Sequence, residues 1–165
     1  MLIVDAAVDP ADTLAGIENW WWPRIEARLL DATVISSNGK SQSPRPKKRK
    51  HLKPFIDAFF AARKQTPSIP GKLELEEFRR KGEKHIGALG LTVVDDSEEE
   101  NPFGEAYEEW LDTVALVRSP FMVVDYHSKW RTSSSAPIVV GCFIAHDDVD
   151  HILKLSEPPD HSRWD

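Results

Sequence analysis

The densest group of metal-ligand side chains is His146-Asp147-Asp148-Val149-Asp150-His151. On a helix, His146/Asp150 and Asp147/His151 are i,i+4 pairs, the spacing at which two side chains can share an ion. A structural reading competes with it. Asp147 and Asp148 stand where a helix would begin, and carboxylates are favoured against the N-terminal end of the helix dipole. Capping is the reading adopted; His146, Asp150 and His151 remain the metal candidates. A second concentration of chemistry is basic: Arg45, Lys47, Lys48, Arg49, Lys50 and Lys53 fall within Pro44–Lys53. Without these six cations the net charge would move from −6 to −12, so the balance hides strong local segregation. The run suits contact with nucleic acid or nucleotide phosphates, or else a solvated loop paired with the acidic tract Asp95–Glu100. Few aromatic residues interleave with it, which disfavours stacking on single strands. Cys142 sits inside the apolar run GCFIA and reads as a buried structural thiol. Ser133–Ser135 lies in a polar stretch with no G-x-S-x-G around it, so a serine hydrolase has no support.

The elements that must position these groups begin with Ile17–Leu30, where Trp20, Trp21 and Trp22 run into Pro23. Asp9 is a natural cap and Pro10 fits the first helical position. Leu14, Ile17, Trp21, Ile25 and Leu29 form one helical stripe. Pro23 cannot donate to the carbonyl of Asn19, which predicts a kink or a break. Successive residues lie about 100° apart, so Trp20 and Trp22 need a second surface. With Trp164 they are the interface candidates.

Ala32–Ile35 reads as a short strand and Asn38-Gly39 as a turn. Pro54 opens a helix to about Lys64, with Phe55/Phe59 and Ile56/Phe60 as i,i+4 pairs, ended by Thr66–Gly71. The charged stretch Lys72–Lys84 reads as a peripheral helix or ordered loop. The glycine pair of IGALG, Ile86–Gly90, reads as a turn entering a strand at Leu89–Val94. Residues 95–104 form an acidic loop. Val114–Val117, Phe121–Tyr126 and Ile138–Ala145 are strands, the last apolar on both faces and so expected at the centre of a sheet. Lys129–Ser135 is a loop, and Asp147–Leu155 a short helix with Val149, Ile152 and Leu153 inward. Strands and helices interleave with hairpin-like links, which predicts an α+β fold, a mixed sheet of four to five strands with helices packed on it.

At 165 residues, 41% hydrophobic and 29% charged, the chain fits one domain, 1–165, with a real core. One cysteine excludes an internal disulfide and a cysteine zinc cage, and suits a reducing, cytoplasmic compartment. MLIVDAAVD has no basic leader, and no stretch approaches the ~20 apolar residues of a membrane span, so no membrane partner is expected.

Two segments together resemble a known group. The run ENWWWP with the short strand after it is similar to an element of bacterial ATPases in the superfamily of gyrase, the heat-shock chaperone, histidine kinases and MutL. VALVRSPFMVV and GCFIAHDDVDHILKLSEPPDHSRWD resemble a second element of that group. In such proteins both lie after the ATP-binding domain, in a transducer-like second domain. The resemblance implies a non-catalytic domain cut from a longer protein, coupling ATP binding elsewhere to conformational change. It implies settings in genome maintenance or anti-phage defence, an ATP-binding domain of the same protein as partner, and a homodimer as a further one. The superfamily's Asn/Asp-bearing helix, D-x-G-x-G and Gly-rich lid do not occur among the eight glycines. ATP and Mg are therefore expected of the parent protein, with no cofactor in this chain. The alternative is a stand-alone nucleic-acid-binding module using residues 45–53.

Overall fold

The computed structural model describes residues 8–65, 73–79, 85–94, 103, 107–128 and 138–156. Asp9 caps the first helix by accepting from the Ala11 N–H at 2.8 Å, and α1 runs Pro10–Glu26. It passes through Pro23 unbroken and stops four residues before Leu30. The stop is made by Arg28, whose φ of 59° places it in the left-handed region. The Leu29 N–H then reaches back to Arg24 O at 2.9 Å, and the Arg28 N–H to Ile25 O. This closure normally uses glycine; with arginine in the position, the stretch carries no visible stop signal.

A two-residue hairpin follows, β1 (Val34–Ile35) against β2 (Ser41–Gln42), turning at Asn38-Gly39 with Gly39 at φ 81°. Two 3₁₀ turns, Pro46–Lys48 and Lys50–Leu52, carry the basic run into α2 (Lys53–Ala62). Here too a non-glycine residue ends the helix, Lys64 at φ 57°.

The sheet has five strands: β3 (Leu73–Arg79), β4 (His85–Val94), β5 (Val114–Arg118), β6 (Met122–His127) and β7 (Ile138–Ala145). Their spatial order is β3-β4-β7-β5-β6. All neighbours are antiparallel except β7 with β5, so the sheet is mixed and the fold is α+β. The apolar β7 occupies the centre, as its composition requires. The link between β5 and β6 contains a cis Ser119-Pro120 bond. The helix α3 is a single turn, Tyr107–Trp110, and α4 runs Asp147–Ser156.

Three expectations are corrected. Lys72–Lys84 is neither helix nor loop over its described part: Leu73–Arg79 is the edge strand β3. Leu and Glu alternate there, and charge on an edge strand blunts pairing with other chains. The glycines of IGALG stand within β4 and make no turn. A Cβ at Gly90 would lie 1.9 Å from Ala58 O, so glycine is what lets the Ala58-Ala61-Ala62 side of α2 seat on the sheet. Ile152 of α4 faces solvent at 45% exposure, whereas Val149 is buried as expected; the Leu153 side chain lies outside what the structure describes. Thr66–Gly71, Lys129–Ser135, Trp164 and the acidic tract of 95–104, apart from the buried Phe103, lie outside the described residues.

One core joins α1, α2 and the sheet. Trp22, Leu52, Phe55 and Phe59 meet Ala115, Val117, Val123, Val140 and Cys142, all of them fully or almost fully buried. Trp22 packs edge-on against Phe59 with centroids 5.5 Å apart, and Phe55 against Tyr126 at 5.4 Å. Among the described residues, no helix is long and apolar enough to cross a membrane.

Candidate functional site

The site builds up from a carboxylate on α1. Glu18 is 3% exposed, an expensive place for a charge unless it is paired and hydrogen-bonded. It accepts the backbone N–H of Arg45 at 2.7 Å and the Arg49 Nε–H at 2.5 Å. The first 3₁₀ turn is thereby pinned to α1. Pro46 and Leu52, both buried, fix it from below. Next to it, His51 stacks on Trp110 with centroids 5.1 Å apart, its Nε2 lying 3.3 Å from Asn19 Oδ1. Burial, and then the nearby Arg49 charge, hold this imidazole below its usual range against an opposing pull from Glu18.

These anchors sort the six basic candidates. Lys47 is committed to Glu26 at 3.1 Å and lies 5.6 Å from the Phe60 ring centroid; Arg49 is committed to Glu18. Arg45, Lys48 and Arg49 line one groove of about 570 Å³ together with Lys40, Ser41 and Ser43 of the β1–β2 hairpin. Lys50 and Lys53 are exposed and do not line it. Lys40, the serines and Glu18 were not legible as members: Asn38-Gly39 announced a turn, but nothing local announced the second strand or that the hairpin lies beside α1. The groove is polar, with Leu14 its one apolar lining residue.

The indole-rich face of α1 is rotated from the expected stripe. Trp22 is the buried tryptophan and Trp20 the exposed one, at 41%. Trp22 is accordingly corrected from an interface candidate to a core residue enclosed by its own chain. The reason lies in Pro23. With no N–H at residue 23, the Asn19 carbonyl has no helical partner. The Tyr126 hydroxyl fills the gap, donating to Asn19 O at 2.6 Å and accepting from Trp22 Nε1 at 2.9 Å. One phenol thus satisfies both an orphaned carbonyl and a buried indole. Burial raises the Tyr126 pKa well above the ordinary phenol range, so the group stays protonated and able to donate. Arg24 adds a bond to Pro120 O at 2.8 Å. Trp20 leans on the Tyr126 ring, centroids 5.7 Å apart, and keeps its other side in solvent.

The candidates of 146–151 do not converge. Asp150 turns to Arg118 at 3.4 Å, His151 is exposed, and His146 accepts the Asp148 N–H through Nδ1 at 3.2 Å. The helix cap here is the imidazole, and the expected carboxylates occupy the first turn. Among the described residues no group of three or more His, Cys, Asp or Glu side chains is placed to hold a metal. Cys142 is completely buried in β7, and desolvation raises its thiol pKa far above the range of a working nucleophile.

Fold and site together define an α+β body with α1 and α2 packed on a mixed sheet around a buried core and a pinned cationic groove at the edge of α1. The chain matches no family model, no curated protein and no solved structure.

Proposed function

We propose that this chain is a non-catalytic transducer or interaction domain of a bacterial ATPase of the gyrase, heat-shock chaperone, histidine kinase and MutL superfamily. In that role it couples ATP binding in another domain of the same protein to movement of a partner or a second subunit. The observation that supports this reading is how the two similar segments meet. ENWWWP and VALVRSPFMVV are about ninety residues apart in sequence, yet α1 and the β5–β6 hairpin are tied at these runs: Trp22 and Asn19 bond Tyr126, two residues past the second run, and Arg24, one past the first, bonds Pro120. Two segments that travel together in a family gain a physical reason to do so when they are bonded to one another. A rigid unit can transmit a displacement. It does so only if its contacts with the neighbouring domain differ between nucleotide states. The exposed Trp20, Leu29 and Ile35 are apolar groups on or beside α1 available for such contacts.

The test compares ATP turnover by the complete translated protein with turnover by residues 1–165 alone. The proposal expects hydrolysis in the former only, with an ATP-binding domain encoded in the same frame. Turnover by residues 1–165 would overturn it, and so would a reading frame without such a domain.

A further inference from the structure

We infer that the groove between α1 and the β1–β2 hairpin binds the phosphodiester backbone of duplex nucleic acid, without reading its bases. This rests on the groove alone and is independent of the transducer reading. Four cations, Lys40, Arg45, Lys48 and Arg49, converge on one concavity that holds a single carboxylate, Glu18. The local balance is +3, against −6 for the whole chain. Like charges brought together in one concavity repel, and a solvated loop would let them spread. Here the backbone that carries them is held: Glu18 accepts the Arg45 backbone N–H and pairs with the Arg49 guanidinium, and Pro46 and Leu52 are buried beneath the turns. Among the described residues, the Lys40, Arg45 and Lys48 side chains have no ion-pair partner. With their attachment points kept together by the pinned backbone, these cations meet an external anion at a lower entropy cost than cations scattered along a free loop.

The lining also selects the ligand. Ser41 and Ser43 add neutral hydroxyl donors suited to phosphate oxygens. No aromatic residue lines the groove, so it offers no platform for an unpaired base, which argues for a duplex over a single strand.

The test is fluorescence anisotropy of residues 1–165 with two unrelated 20-base-pair duplexes at low and moderate salt. Neutralising about three phosphates gives a log–log salt slope near −2.7, so affinity should fall roughly 40-fold between about 50 and 200 mM salt. The two sequences should bind alike. Lys40→Glu with Lys48→Glu, both at exposed positions outside the Glu18 clamp, should weaken binding at least tenfold with an unchanged melting temperature. Lys53→Glu, outside the groove, should change it little. No binding at low salt would overturn the inference, as would binding indifferent to the double variant. Tripolyphosphate that binds where duplex does not would also overturn it, marking the groove as a small-anion site.

Discussion

Tyr126→Phe removes one oxygen and nothing else, yet it should be among the most damaging conservative changes in the molecule. The hydroxyl donates to the Asn19 carbonyl that Pro23 leaves without a partner, and it accepts the Trp22 indole N–H, while Trp22 is 0% exposed. Its loss strands two polar groups where water has little access. Each such group costs about 1–3 kcal/mol, so the pair should cost roughly 2–6 kcal/mol. For a chain of this size, about 2–4 °C of melting temperature is lost per kcal/mol, giving a fall of roughly 4–24 °C. Urea denaturation followed by tryptophan fluorescence measures the free energy directly. A double-mutant cycle adds the decisive control. In a Pro23→Ala background residue 23 supplies its own N–H to Asn19, so Tyr126→Phe should cost less there, by about 1 kcal/mol. A loss below about 0.5 kcal/mol, or the same loss in both backgrounds, would refute the idea that the phenol compensates for the proline.

Gly90→Ala should cost more than about 3 kcal/mol or prevent folding, because the new Cβ meets the α2 backbone at Ala58 O and neither element can yield cheaply; chemical denaturation reads it. Arg28→Gly should stabilise by about 0.5–1 kcal/mol, since the position already sits at φ 59° where a side chain is disfavoured; its melting temperature should rise. Stability should also fall on mild acidification through His51. Burial and Arg49 hold the folded imidazole below the ordinary 6.5, so under that pH the unfolded chain takes up a proton that the folded one refuses. The contribution is whole above about 6.5 and is lost as pH drops toward the lower folded value. His51→Gln should flatten that part of the stability–pH curve.

What could be read in the residues was whatever depends on local pattern. β7 is apolar at every position of Ile138–Ala145, and an unbroken run of that kind fits only the middle of a sheet. Phe55 and Phe59 recur at helical spacing, and both are buried on α2. The misses arose where tertiary context supplied what the segment lacked. The β3 strand is hidden by its glutamates, since an edge needs little apolar surface. The end of α1 is hidden by an arginine in a glycine conformation. Trp22 looked surplus because its partner, Tyr126, lies 104 residues away. The groove was half legible: Arg45, Lys48 and Arg49 fall within one short basic run, whereas the contributions of Glu18 and Lys40 depend on how α1 and the hairpin pack.

The most direct measurement is hydrogen–deuterium exchange on the complete translated protein, with and without a non-hydrolysable ATP analogue. A transducing body should show altered protection from Trp20 on α1 to Leu29 just beyond its end, while the amides of α2 and β7 stay unchanged. Equal exchange in both states along α1, or hydrolysis of ATP by residues 1–165 in isolation, would contradict the account.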